Sequence, residues 1–315
     1  MACQLWMVFA GLAGVPGWSQ GQPAVPTILL DSRFQPLPSC LSRPCEAGGG
    51  IAPAMAEGLH RVSWGGGEAR PAPEHGLSPR RQSERTYPAR FLSRVAIRLD
   101  GRLDEPEWAQ AHEEKGFSFP WKKAAAPRTA FRALCDSEHL YFAFVVDDSD
   151  IVVLDRLGDE EDAVFEDRVE LYFSRDEQMR EYYCLEVDSW GRVFDYRGAY
   201  YRKLDPAWNC PGVEAKSAPR VGGYGVEGRI PLASLRALGF PLLRPGEKIR
   251  CGLYRAEFHH DRSGRRAPPQ ASIHTRGRQL DGPPPIEDWL SWIDPRTAEP
   301  DFHVPTSLGW LEIVR

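Results

Sequence analysis

The 315-residue chain has no Cys-x-x-Cys pair, no basic stripe interleaved with aromatics, no βαβ rhythm and only four methionines. Each absence excludes something. Without paired, closely spaced cysteines a structural zinc site has no ligand set. Without a Lys/Arg stripe, and with a net charge of −5, the chain has no electrostatic footprint for nucleic acid. Without βαβ alternation a dinucleotide-binding fold is disfavoured, and the Gly-Gly-Tyr-Gly run at 222–225 reads as a hairpin turn because no helix follows it directly. The longest apolar run, residues 5–15, is too short to cross a bilayer. It is similar to the core of a secretory signal, although no Lys or Arg precedes it and no clean small-x-small site follows. Export to a secreted or periplasmic location is the expectation, with a cytoplasmic location as its alternative.

Seven cysteines are present but scattered. Cys135, Cys184 and Cys251 fall within apolar, strand-like runs and are expected to pack as small core residues. Cys40 and Cys45 sit in a segment with no evident core, where a bridge would need an oxidising compartment. That segment, from about Gly17 to Arg85, is rich in Pro, Gly, Ser and Arg and lacks any period. It cannot bury enough apolar surface to offset the entropy of ordering, so residues 1–85 are expected to be a signal-like segment plus a disordered tail. Trp64 within it is an orphan aromatic.

What is present begins near Thr86. Strand-like runs fall at 95–99, 129–135, 140–147, 168–174, 181–188, 192–197, 213–218, 224–230, 248–258, 289–293 and 308–314, separated by turn residues. Only 231–240 carries a helical rhythm, opened by Pro231 and stopped by Gly239. Many short strands with one short helix predict an all-β domain over 86–315, an antiparallel β-sandwich with jelly-roll or immunoglobulin-like layers. Residues 97–108 predict a strand, a tight Asp100-Gly101 turn and a short helical turn with Pro106 at its start. Trp108, Trp292 and Trp310 are expected to fill the core or seal the ends. Glu227 is expected to anchor a neighbouring Arg or backbone group.

Alternation in 168–174 puts Val169, Leu171 and Phe173 on one face and Arg168, Glu170 and Tyr172 on the other. In 181–188 the second face carries Tyr182, Cys184, Glu186 and Asp188. If the two strands pair, Glu170, Glu186 and Asp188 leave one sheet surface together. Carboxylates on a rigid sheet accept paired hydrogen bonds from vicinal hydroxyls, and aromatic rings stack on the apolar faces of sugars. Phe165, Trp121, Trp208 and Phe302 are the ring candidates. Arg255 and Glu257 on 248–258 are read as reaching the same face. The alternative is a solvated acidic face paired with Arg168 and Arg255.

With those residues in view, the region 86–315 resembles carbohydrate-binding module family 9, in its free-standing branch among the DOMON-like β-sandwiches. The resemblance rests on IRLDGRLDEPEW, FEDRVELYFS, YCLEVDSWG, GYGVEGRIPLASL, CGLYRAEF and the terminal LSWIDP…DFHVPTSLGWLEIV. It implies a non-catalytic module that binds xylan- or cellulose-type saccharides, attached to or acting beside glycoside hydrolases in carbohydrate catabolism, with a monomer expected. The family's glutamate in its W-(x)-DSVE motif matches Glu170. Its two stacking Trp rings fall at or beside Phe165 and on Phe302, and its Arg and Asn on the following strand fall on Glu186 and Asp188. Both Trp rings are therefore replaced here, and a cation is replaced by an anion. The implied ligand set is Phe165, Glu170, Glu186, Asp188, Arg255 and Phe302.

The resembled family has structural calcium sites, and Asp147, Asp148 and Asp150 at the end of 140–147 offer oxygen ligands; no other cofactor is required. A glycosidase would need two carboxyls about 5–10 Å apart, which Glu170 with Glu186 or Asp188 could supply. A haem-binding DOMON-like module would need an axial ligand, and Met179 is the one methionine after residue 85. The adjacent His259 and His260 point to opposite sides of an extended chain, so one metal does not readily take both.

Overall fold

The structure is a computed structural model that describes residues 85–153, 160–260 and 286–315. The signal-like segment and the expected tail up to residue 84, with Cys3, Cys40, Cys45 and Trp64, lie outside the described residues.

The described residues form twelve strands: β1 (Thr86–Phe91), β2 (Thr129–Cys135), β3 (His139–Asp147), β4 (Arg168–Ser174), β5 (Tyr182–Asp188), β6 (Val193–Ala199), β7 (Lys203–Asp205), β8 (Glu214–Arg220), β9 (Gly223–Pro231), β10 (Lys248–His259), β11 (Ile286–Ser291) and β12 (Gly309–Val314). One α-helix, α1 (Leu232–Ala237), follows β9, and short 3-10 turns span Pro106–Gln110, Glu160–Phe165 and Pro305–Ser307. The strands run β7-β6-β5-β4-β10-β12-β1-β2-β3-β9-β8 in one continuous ladder, with β11 pairing β10 off that path. Ten of the eleven expected runs coincide with strands. The exception is 95–99, which is extended but unpaired. Val95 and Ile97 alternate inward onto Trp108 and Tyr141, so the alternation that predicts a strand is met by packing rather than by a ladder. β1 and β7 escaped the sequence reading; β1 contains Pro88 and enters the sheet parallel to β12 and β2.

The sheet curls on itself as the expected sandwich. Its interior joins Phe131 and Ala133 of β2, Phe142, Phe144 and Val146 of β3 and Tyr224 and Val226 of β9 to Val169, Leu171 and Phe173 of β4, Tyr183, Leu185 and Val187 of β5 and Leu253 of β10. Cys135, Cys184, Cys210 and Cys251 are free and buried.

The loop after the unpaired segment is fastened by one side chain. Glu227 Oε2 accepts the backbone N–H groups of Asp100 (3.0 Å) and Gly101 (2.8 Å), and Oε1 accepts those of Leu103 (3.2 Å) and the Trp108 indole (2.7 Å). Gly101 has φ +83°, and a Cβ there would lie 2.4 Å from the Ala218 nitrogen, so the turn demands glycine. The IRLDGRLDEPEW motif is thus a scaffold motif that wraps a buried carboxylate.

Candidate functional site

The register of β4, β5, β6 and β10 decides which side chains meet. Glu170 lies opposite Glu186 on β5 and opposite Tyr254 on β10, Arg168 lies opposite Asp188, and Glu186 lies opposite Phe194 on β6. Directly opposed residues share a face, so Arg168, Glu170, Glu186 and Asp188 do leave one surface. Arg255 lies opposite Val169 and therefore projects from the other one. The expectation that Arg255 and Glu257 join Glu170 is corrected by this one-residue parity.

The surface is not open. Every residue of β4 and β5 is buried, on both faces. A second apolar layer made of Ala163, Met179, Phe302 and Leu308 covers Tyr172, Tyr182, Cys184, Phe194, Tyr196 and Tyr254. Met179 is thereby enclosed as a packing residue. Arg168 supplies the charge balance: its Nη2 is 3.0 Å from Glu170 Oε1, and its Nε is 2.6 Å from Glu186 Oε2. The same guanidinium donates to the Val164 carbonyl at 3.1 Å and lies 5.3 Å from the Trp289 ring centre. It thus ties the Glu160–Phe165 turn down onto the acids. Tyr196 donates to Glu186 Oε1 at 2.8 Å, and its hydroxyl is 2.9 Å from that of Tyr172. Burial first, and the neighbouring Glu186 second, push the Glu170 carboxyl up to about 8 against the pull of Arg168.

Phe302 and Asp188 of the implied ligand set have internal roles. Phe302 is 5% exposed and stacks on Tyr254 with ring centres 4.1 Å apart at 14°, with Trp121 and Trp289 packed around it. Asp301 holds this segment by accepting from the His303 N–H (2.9 Å), from Arg202 (3.1 Å) and from the Tyr201 hydroxyl. Asp188 builds the β5–β6 turn, accepting from the N–H groups of Trp190 (2.8 Å) and Arg192 (2.9 Å) and pairing with the Arg192 side chain. Phe165 is half-buried at the end of its 3-10 turn. Trp208 lies 5.1 Å from Tyr183, against the sandwich interior and away from the acids. As an acid–base pair for glycoside hydrolysis, Glu170 and Glu186 share one guanidinium and are enclosed.

A second acidic group takes Asp148 from the expected calcium-ligand run and joins it to two acids that the sequence reading did not name as metal ligands. Oxygen atoms of Asp148, Asp167 and Glu257 fall within 4.8 Å of one another, and all three residues are buried. Asp147 and Asp150 are not part of it: Asp147 pairs with Arg220, and Asp150 shares a 2.9 Å hydrogen bond with His260. His259 turns to Asp288 instead, at 3.2 Å. Asp167 accepts the N–H groups of Phe258 (2.6 Å) and Val152 (2.5 Å), whereas Asp148 Oδ2 has no hydrogen-bond partner. Arg255 partly balances the charge, pairing with Glu257 and lying 3.6 Å from Asp148. Burial and the neighbouring Asp148 push Asp167 up to about 8; burial pushes Glu257 up to about 7, with Arg255 opposing. The three carboxylates offer hard oxygen donors of the kind calcium takes, with Arg255 standing beside two of them. Three separate segments supply these acids, so no local spacing announces them.

The chain is similar to a candidate carbohydrate-binding protein from Bacteroides uniformis ATCC 8492, with 18% identity and a TM-score of 0.54, covering 73% of this chain and 100% of that one. It is also similar to a carbohydrate binding module family 9 from Caldicellulosiruptor kristjanssonii in complex with cellotriose, with 14% identity and a TM-score of 0.45, covering 73% and 94%. No curated protein matches the chain. The family model described as "Carbohydrate family 9 binding domain-like" matches residues 99–306 of the 315, from the Glu227-bound loop through Phe302, and the chain belongs to that family.

Proposed function

We propose that this protein binds carbohydrate without transforming it, with xylan- or cellulose-type oligosaccharides as its ligand class and glycoside hydrolases as the activity it accompanies. Family membership across residues 99–306 carries this reading. The fold supplies what such a role needs, a rigid sandwich whose turns can display side chains at fixed positions. The enclosed face supports a refined role for the implied residues: Arg168, Glu170, Glu186 and Phe302 hold the layers together, and contact with a saccharide belongs to side chains at the edges of that face. Export by way of residues 5–15 and action as a monomer complete the proposal.

A glycan array probed with the full-length protein tests it, followed by titration calorimetry on the hits. Specific retention of β-linked xylo- or cello-oligosaccharides is the expected result. Absence of binding to every glycan on the array would remove the reading.

A further inference from the structure

Trp190 stands at the tip of the β5–β6 turn with 52% of its surface open, the one aromatic among the exposed large apolar residues described. The turn beneath it is tightly fixed. Asp188 Oδ1 accepts the N–H groups of Trp190 and Arg192, the Asp188 carbonyl accepts that of Gly191 at 3.0 Å, and the Asp167 carbonyl accepts that of Ser189 at 3.2 Å. Gly191 has φ +84°, and a Cβ there would meet the Ser217 nitrogen at 2.8 Å, so the turn is braced against β8. Arg192 is oriented by two carboxylates at once, Asp188 and Glu166, and keeps 18% of its side chain exposed. An indole presented outward from a locked turn is a preorganised flat surface.

We infer that Trp190 is the stacking platform for a pyranose ring. The inference rests on the carbohydrate-binding reading above and places the contact at the β5–β6 tip, outside the enclosed acid–aromatic layer. The apolar C–H face of a pyranose matches an indole in size and complements its negative π face, while ring hydroxyls point outward to donors. Phe302 and Tyr254, already stacked on one another, have no free ring face to offer.

Titration calorimetry with cellotetraose, xylotetraose, mannotetraose and laminaritetraose on the full chain tests the placement, using wild type, Trp190→Ala and Trp190→Phe. Wild type is expected to bind at least one of them. Trp190→Ala is expected to lose roughly tenfold or more in affinity with an unchanged Tm, and Trp190→Phe to keep most of it. Oxidation by N-bromosuccinimide, read by peptide mass spectrometry, should modify Trp190 early in the free protein and spare it when the bound oligosaccharide is present. Binding by Trp190→Ala equal to wild type would overturn the placement and leave the carbohydrate reading standing. Failure of wild type to bind any of the four would overturn both.

Discussion

Arg168 shows how a single residue decides whether a polar face is a site or a core. Without it, Glu170 and Glu186 would face one another across a non-polar layer. With it, two buried carboxylates share one cation, and that cation also fastens the Glu160–Phe165 turn. Removing one member of a buried ion group leaves an uncompensated charge at a cost of about 3–5 kcal/mol. Arg168→Ala should therefore lower Tm by about 6–20 °C in a thermal melt, and Glu170→Gln, which keeps the shape of the protonated acid, should cost far less. A sugar-contacting Glu170 would give the opposite pattern, with Tm unchanged in Glu170→Ala and glycan retention lost. The residues of this face were legible in the sequence, and so was their common direction. Their enclosure was not, because polar–apolar alternation looks the same whether the polar side meets water or a second layer with internal charge pairs. The tyrosines at 172, 182 and 196 were the available signal, since a face rich in large rings has apolar area to cover.

At the scale of elements, alternation located the strands because each buries one face in the sandwich interior. It failed at 95–99, where burial beneath Trp108 reproduces the pattern without a partner strand, and at β7, which is three residues long and half-buried. Partners distant in sequence were likewise out of reach, since Asp148, Asp167 and Glu257 converge only through the ladder. The loop from Asp100 to Trp108 behaves as an element in its own right, held by Glu227. Burial raises the pKa of that carboxyl above its ordinary value, and the donated hydrogen bonds oppose the rise. Glu227→Ala leaves several donors unsatisfied, each costing about 1–3 kcal/mol. Hydrogen exchange should then show the amides of Gly101 and Leu103 losing protection while β4 and β5 keep theirs. Uniform loss across the sheet would show instead that the loop and the sandwich unfold as one unit.

For the molecule as a whole, the buried acids set the direction of its pH response. Glu170, Asp167 and Glu257 all have folded pKa values raised above the ordinary carboxylate range, to about 8, about 8 and about 7. A raised folded value means the native state holds its proton more tightly than the unfolded chain does. The stability this contributes is complete below the unfolded value, near 4, and is lost as pH climbs through the folded values. Metal-free protein should thus melt at progressively lower temperature from about pH 5 to about pH 8, and Glu170→Gln should flatten that slope by removing one of the contributors. Calcium should act against the trend at one place only. Bound among Asp148, Asp167 and Glu257, it favours their ionised forms, so its stabilisation should be small near pH 5, where protons compete, and reach several degrees near pH 8. Asp148→Asn should abolish the calcium increment without changing the effect of Glu170→Gln, because the two acidic groups lie on opposite faces of β10. An increment that survives Asp148→Asn would place the ion elsewhere, and a melting temperature that rises with pH in the metal-free protein would show that these carboxylates are ionised in the fold.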